Sequence, residues 1–449
     1  VGVVRKHFLE PTAGIKQEDG TYPYNGTWVA ANLKMSLPSR ETHPNLPLWD
    51  LGYKPEDVYD LFWPQGWHFC SPPGKATAAG RFGPHHERLW RHEFRQDGID
   101  DTMDAEALLW EHLTPMITRE RDSQGKAFAL PVSYPRDCIE VLRCRPFRFT
   151  HKVVNRWFDN RTILIGDAAH VFPPFAGQGI ASGLRDAHQL AWRLSLLVHR
   201  AGQDPKRLCS AKQLLDSWAL ERRRSVDDAA FLSMLIGRLC NKQAPLWAHL
   251  GLKLQMFLDW AGLFPRKLDP QAQKERRGFV DVPGGFLSKE YNGGGRMAQI
   301  HVWSSMSRAP VLSDTLLGQS TSVFTLVAIV HEESLGQCYD EAKHAIKNAS
   351  FESSVLSQES IVLLSPKHIT TSNCEARVPS SIEVFYPYLP EQNRKQGPSS
   401  NYDAGSYIGR LGHSTKFALV RADMFIFACA RNTLELAACL GLLKTKLGH

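Results

Sequence analysis

The stretch from Asn160 to Arg200, "NRTILIGDAAHVFPPFAGQGIASGLRDAHQLAWRLSLLVHR", constrains this chain more than any other. A short apolar run, "RTILI", ends at Gly166 and Asp167, which predicts a buried parallel strand. A Pro/Gly-rich loop follows. Ile180, Leu184, Ala187, Leu190, Ala191, Leu194 and Val198 then recur at three- and four-residue spacings, predicting a helix with one apolar face. Gly166 lets the backbone approach a ligand closely, and Asp167, at the strand's carboxyl end, is placed to accept hydrogen bonds from sugar or polyol hydroxyls. Pro173 and Pro174 fix the loop's φ angles and leave their carbonyls to line a rigid wall. Gly177, Gln178, Gly179 and Ile180 bring backbone N–H groups to the positive end of the helix, which suits an anionic or electron-rich ligand edge.

The chain of 449 residues has room for two or three domains. The 43% hydrophobic and 22% charged content is that of an ordinary globular protein. A net charge of +7 is spread along the chain, and its basic runs, "ERRRS" from Glu221 and "QKERRG" from Gln273, also carry acids; no nucleic-acid role is expected. The nine cysteines are scattered and form no C-x-x-C, so reduced thiols in a cytoplasmic setting are expected, with no zinc ribbon or dithiol motif. "HH" at His85 and His86 lacks metal-ligand spacing, and no metal site is expected. No apolar run reaches the roughly 18 residues of a membrane span, and no membrane association is expected.

From Gly26, "GTWVAANLKMSL" sets Val29, Ala31, Leu33, Met35 and Leu37 on one face at period two, a half-buried strand. Strand-like pieces at "GWHFCSP", "TAAGRFG" and "LWRHEFRQ" complete a mostly antiparallel substrate-binding domain over 1–145, interrupted by a helix from Asp104 to Met116. Residues 146–264 carry the ligand motif and its helices, one of them from Ala211 to Leu239. The Gly-, Pro- and charge-rich text of 265–289 predicts a linker, and 290–449 an α/β domain with strands "SVFTLVAIV", "SIVLLS" and "FALVRADMFIFACA" and a final helix "NTLELAACLGLLKTKL". "PEQNRKQGPSSNYDAGSY" reads as a surface loop.

"GDAAHVFPPFAGQGIASGLRDAHQLAWRL" closely resembles the second FAD motif of the flavoprotein aromatic hydroxylases, the single-component monooxygenases that include phenol and 3-(3-hydroxyphenyl)propionate hydroxylases. "LWRHEF" resembles the family's R-W-E-F strand, "LLDSWALERRRSV" its helix after the flavin site, and "VRADMFIFACA" a strand of the thioredoxin-like C-terminal domain of larger members. The resemblance implies an α/β fold, α+β overall, with a partial Rossmann-like FAD domain, an antiparallel substrate domain and a thioredoxin-like tail. It implies that Asp167 binds the ribityl chain and that Gly177 to Ile180 hold the flavin's N1/O2 edge. Pro174 would be the catalytic-site residue, presenting its carbonyl beside substrate and flavin, with Gly166 and Pro173 also lining the cofactor. FAD, NAD(P)H, O2 and a phenolic or polyketide-like aromatic would be the reactants, with oxygen transferred from a flavin hydroperoxide. The tail, lacking C-x-x-C, would have a structural or homodimerising role.

The family's opening G-x-G-x-x-G is not found, and "VGVVRKHFLEP" resembles the tail of its internal D-G motif, so residues 1–12 read as a remnant of an FAD domain whose first half would precede Val1. "RTILI" is then expected to present an unpaired edge and an uncovered apolar face. Two alternatives stay open: a non-catalytic or decayed flavoprotein remnant unable to hold FAD alone, and a flavin oxidase or ring-opening oxygenase of the same fold. For phenol activation, Trp67, His68, Arg91 and His92 are weighed in the substrate sheet, with ordinary strand roles favoured for each; His170 reads as structural.

Overall fold

The computed structural model describes all residues except 1, 71–73, 99–102, 174, 202–207, 241–249, 252, 255–256, 259–276, 308, 319, 368, 370–381, 389–405 and 449. The chain divides into two compact units. The first comprises Val1–Trp157, Leu164–Ser182 and Ala229–Leu258, and the second Phe158–Ile163, Gly183–Asp228 and Asp259–His449.

The first unit is built on a five-stranded antiparallel sheet. Its strands are β1 (Asn25–Met35), β2 (Trp67–Cys70), β3 (Thr77–Phe82), β4 (Leu89–Arg95) and β5 (Ile139–Thr150), in the order β2-β3-β4-β1-β5. The period-two reading of β1 holds: Val29, Ala31, Leu33 and Met35 enter one core with Trp90 and Phe94 of β4. Helices α1 (Pro55–Phe62) and α2 (Ala105–Leu113) cover that face with Val58, Phe62, Leu109 and Leu113. Burial of each such side chain contributes about 1.5–3 kcal/mol. Asp104 caps α2 by accepting from the N–H groups of Glu106 and Ala107, which is why the helix starts there. The other face of β1 carries Trp28, Ala30 and Asn32 by strict alternation.

Within the covered face, His92 of β4 and His112 of α2 are both buried, with His92 Nε2 3.1 Å from His112 Nδ1 and the His112 ring stacked on Phe94 at 4.2 Å. Burial, and secondarily the neighbouring His112, push His92 down to about 3. A base whose folded value is depressed binds fewer protons folded than unfolded, so its contribution is neutral above pH ~6.5 and increasingly destabilising below it, down to about 3. Urea denaturation of the wild type is therefore expected to show about 2 kcal/mol less stability at pH 5 than at pH 7.5 from this group. His92→Gln should shrink that difference; an unchanged difference would assign the acid sensitivity elsewhere.

Two long helices follow, α3 (Gln178–Ala201) and α4 (Leu208–Cys240), close to the expected spans. The expected apolar stripe of α3 is present but turned outward, which corrects the expectation. Ile180, Leu184 and Val198 are 82%, 67% and 73% exposed, and Ala187, Ala191 and Leu194 are exposed too; of the stripe only Leu190 is buried. The buried side instead holds Asp186, Gln189, Trp192, Arg193 and Leu196. Charge pairing decides the phase. Asp186 accepts from Arg222 Nε of α4 at 2.6 Å, and Arg193 Nη2 donates to Glu221 of α4 at 2.8 Å.

"RTILI" likewise departs from the expected buried parallel strand. Only Thr162–Ile163 is extended, paired antiparallel with Phe158–Asp159, and Ile165 is exposed. Among the described residues no parallel neighbour supplies the hydrogen bonds that would extend it.

The second unit contains a seven-stranded mixed sheet. Its strands are β6 (His301–Ser304), β7 (Pro310–Leu312), β8 (Phe324–Ile329), β9 (Ile361–Leu364), β10 (Phe385–Pro387), β11 (Phe417–Arg421) and β12 (Ile426–Ala430), in the order β7-β6-β10-β9-β8-β11-β12. β8 and β9 are parallel, joined through helix α5 (Leu335–Ala349), while β11 is antiparallel to both β8 and β12. Helix α6 (Thr433–Leu447) ends the chain and packs into the same core as α5. "FALVRADMFIFACA" is thus a hairpin rather than one strand, its turn marked by Met424 at φ 69°. In the expected linker, residues 265–276 lie outside the described residues, whereas Phe279, Val282, Phe286 and Leu287 are buried. Most of the expected loop 390–407 also lies outside them.

One cluster in this unit joins four buried charges. Arg421 of β11 donates through Nη1 and Nη2 to both oxygens of Glu221 (2.7 and 2.9 Å) and through Nε and Nη2 to Asp423 (2.8 and 2.6 Å). Arg193 shares Glu221, whose Oε1 also accepts from the Phe286 N–H at 2.8 Å, and Asp423 accepts from Trp192 Nε1 at 2.9 Å. Burial opposes the charge on Glu221, but Arg421 and Arg193 outweigh it and hold the carboxyl at about 2. Two cations and two anions balance.

Candidate flavin loop and ring-binding face

The loop of residues 164–177 is fastened to the first unit at both ends. Leu164 N–H donates to the Trp157 carbonyl (2.9 Å), Val154 N–H to Ala169 (2.8 Å), and His170–Val171 pairs antiparallel with Lys152–Val153. His170 is fully buried against the Trp157 and Phe172 rings, in keeping with a structural role.

Phe175 is the loop's peg. Fully buried, it meets Trp28 at 5.3 Å, Tyr24 at 6.0 Å and Phe69 at 6.4 Å between ring centroids. Its carbonyl accepts from Ser233 Oγ of α4 at 2.6 Å, and Gly237 is needed beneath it, since a Cβ there would lie 2.8 Å from the ring. The loop is thereby pinned to the sheet face opposite α1 and α2.

The cofactor residues read from the sequence fall on this loop and the start of α3. Gly166 and Gly177 both have left-handed backbones, at φ 56° and 59°, which glycine adopts without strain. Asp167 is exposed and makes no hydrogen bond or ion pair among the described residues, leaving its carboxylate available to hydroxyls. Pro173 and Gln178 are buried, and Ile180 is exposed. Pro174, the expected catalytic-site residue, lies outside the described residues.

Gly179 is the informative glycine: its φ is not positive, and an added Cβ would meet nothing within 4 Å. Neither backbone strain nor protein packing demands glycine there, so open space lies in front of it. The first turn of α3 contains no acid to offset the positive end of its dipole, and its first N–H groups have no intrahelical acceptors. The residues present fit the electron-rich edge and polyol chain of a flavin.

Of the four side chains weighed for phenol activation, the structure separates two pairs. His68 stacks on Trp90 and His92 on the His112 side, both on the face covered by helices. Trp67 and Arg91 alternate to the face that bears Phe175. Sequence reading passed over Glu93 and Asn32, which share that face: Arg91 Nε donates to Glu93 Oε1 and Arg91 Nη1 to Asn32 Oδ1, both at 2.7 Å. The available signal was a buried-strand alternation, Trp90, His92, Phe94, with charges at every intervening position.

Elsewhere in the first unit His43 Nε2 lies 3.1 Å from Asp137 Oδ1, and with Cys138 Sγ they place one N, one O and one S donor within 4.8 Å. His43 of this set also lines a cleft of about 400 Å³ formed by Thr42–Pro47, Pro131–Ser133 and Pro135. Ninety-odd residues separate His43 from its partners, so no spacing along the chain could signal it. The hydrogen bond from His43 holds Asp137 below the usual carboxylate range, while burial pushes the Cys138 thiol up.

The family described as FAD binding domain matches residues 134–229. The 3-(3-hydroxy-phenyl)propionate/3-hydroxycinnamic acid hydroxylase of Klebsiella pneumoniae subsp. pneumoniae is 38% identical over 104 residues, covering 23% of this chain and 17% of that protein. The protein of the same name from Escherichia coli O139:H28 is 33% identical over 121 residues, covering 27% and 20%. These matches span about a fifth of the length of the relatives. Among solved structures, aklavinone-11 hydroxylase, in a complex with FAD and aklavinone, superposes with a TM-score of 0.55 at 15% identity over 98% of this chain and 66% of that one. An anhydrotetracycline hydroxylase from Streptomyces rimosus gives 0.52 at 18% identity over 98% and 67%. The chain therefore has the fold of the FAD-dependent aromatic hydroxylases and carries an FAD binding domain segment. Among the described residues no helix is long and apolar enough to cross a membrane.

Proposed function

We propose that the chain acts as an FAD-dependent, NAD(P)H-using monooxygenase that hydroxylates a phenolic or polyketide-like aromatic ring with O2. The observation that carries this is the flavin loop itself: left-handed Gly166 and Gly177, a free Asp167 and the open space at Gly179, pinned by Phe175 to a sheet face walled with Trp28, Phe69 and Phe149. When bound, FAD supplies the redox chemistry that activates O2. The chain's own residues bind and orient. Asp167 accepts from ribityl hydroxyls, the Gly177–Ile180 end of α3 faces the electron-rich ring edge, and Pro173 and Pro174 wall the ring's approach to substrate. The aromatic face around Trp28 excludes water from the reacting ring.

In this reading a substrate sheet domain spans 1–145, the second FAD half 146–264, a linker 265–289 and a thioredoxin-like domain 290–449. The last is supported by the order β9-β8-β11-β12, with a parallel pair bridged by α5 and a hairpin followed by α6. Its described thiols are unsuited to exchange, since burial pushes Cys338 and Cys429 up to about 11 and Cys439 to about 12, which favours a structural or homodimerising role. The protein works in the cytoplasm, without nucleic acid.

The test is a visible spectrum after incubation with FAD and gel filtration. Bands near ~370 and ~450 nm are expected to elute with the protein, and Gly179→Val, which fills the open space, to weaken retention about tenfold or more, a change of ~1.4 kcal/mol. A colourless wild type, or equal retention by Gly179→Val, would remove the loop from flavin binding. Labelled O2 appearing in the product separates hydroxylation from oxidation without oxygen insertion.

A further inference from the structure

The sheet face pinned by Phe175 turns polar beyond Trp28. Along β1, Ala30 and Asn32 follow Trp28 on the same side, about 7 Å apart per pair of residues. On β4 the residues opposite them are Glu93 and Arg91, and on β3 the neighbours of those two are Ala78 and Gly80. Alanines flank the Glu93 carboxylate on both sides, with Trp28 at one end and Arg91 at the other.

Glu93 is only 6% exposed, yet its charge is not fully spent. Oε1 takes the 2.7 Å hydrogen bond from Arg91 Nε, while Oε2 has no hydrogen-bond partner among the described residues. Arg91 divides its donors between Glu93 and Asn32 and keeps Nη2 without a partner there. Neither atom is among the buried polar atoms left without a bond, so both reach solvent and are open to a ligand. One acceptor and one donor thus remain on two side chains already joined by a hydrogen bond.

Resting on the reading of the chain as an aromatic hydroxylase, we propose that Glu93 and Arg91 form the subsite for the ring hydroxyl of a phenolic ligand. Glu93 Oε2 accepts the O–H hydrogen bond, and Arg91 Nη2 donates to the same oxygen. Proton transfer breaks the phenolic O–H bond and forms a bond to Glu93 Oε2; the resulting phenolate stays beside the guanidinium, and Asn32 holds that guanidinium in plane. Burial raises the Glu93 pKa while Arg91 opposes the rise, which suits a carboxylate that must both accept and release a proton.

The experiment is a ligand-observed NMR titration of the full chain, without flavin, using 3-(3-hydroxyphenyl)propionate and its 3-methoxy analogue. The wild type is expected to prefer the hydroxyl compound by about tenfold or more, as one charge-assisted hydrogen bond requires. Glu93→Gln should reduce the preference to near unity while leaving the methoxy affinity unchanged, and Glu93→Asp should restore part of it. A preference that survives Glu93→Gln overturns the subsite and leaves the reading as a phenol-binding chain intact. A wild type that binds both compounds equally overturns the subsite even if the variants do not fold, and one that binds neither removes the phenolic reading as well.

Discussion

Glu221→Gln is expected to lower the stability of the second unit by about 3–5 kcal/mol, the usual cost of stranding a buried charge. The substitution keeps the shape of the side chain and most of its contacts. What it removes is the anion that Arg193 and Arg421 share, leaving a fully buried cluster with one excess positive charge. Adding Arg193→Gln to the same chain returns the cluster to neutrality, with Arg421 and Asp423 still paired. The double variant should therefore recover much of the loss. Denaturant midpoints of the wild type, the two single variants and the double variant decide it; simple additivity would mean that the network is no more than a set of independent contacts.

Phe175→Ala should have a comparable effect on the first unit, about 3–5 kcal/mol, with a functional consequence that the charge variant lacks. Removing the ring opens a cavity among Trp28, Tyr24 and Phe69 and releases the peg that holds residues 164–177 against the sheet. Flavin retention is expected to fall along with stability. Measuring both in Phe175→Leu, which refills most of the volume, separates the contributions. A stable Phe175→Leu that still loses flavin assigns the loop's position to ring geometry, whereas normal retention in Phe175→Ala would show that the loop is held elsewhere.

The elements whose signal is local were legible. Period two in "GTWVAANLKM" named the residues that β1 sends into the core, and the glycines at 166 and 177 sit where the backbone is left-handed. The motif from Gly166 to Ile180 lies within residues 134–229, which the family described as FAD binding domain matches. Less legible was Glu93, hidden by an alternation that looks like any strand with one wet face.

Helix α3 marks the boundary between what the chain's text contains and what the assembled molecule adds. Its periodicity established that a helix forms and which residues share a stripe. Burial of the stripe was the natural expectation, yet Leu184 and Val198 face outward while Asp186 and Arg193 face inward. The choice belongs to partners far away in the chain: Glu221 and Arg222 on α4, and through Glu221 the pair Arg421 and Asp423, two hundred residues on. Three motifs visible separately, "RDAHQLAWR", "ERR" and "VRAD", are parts of buried charge pairs that connect them. Hydrophobic spacing is a property of neighbouring residues and survives in the sequence alone. The pairing of buried charges depends on which segments meet after folding, and in this protein that meeting decided which side of a helix is the inside.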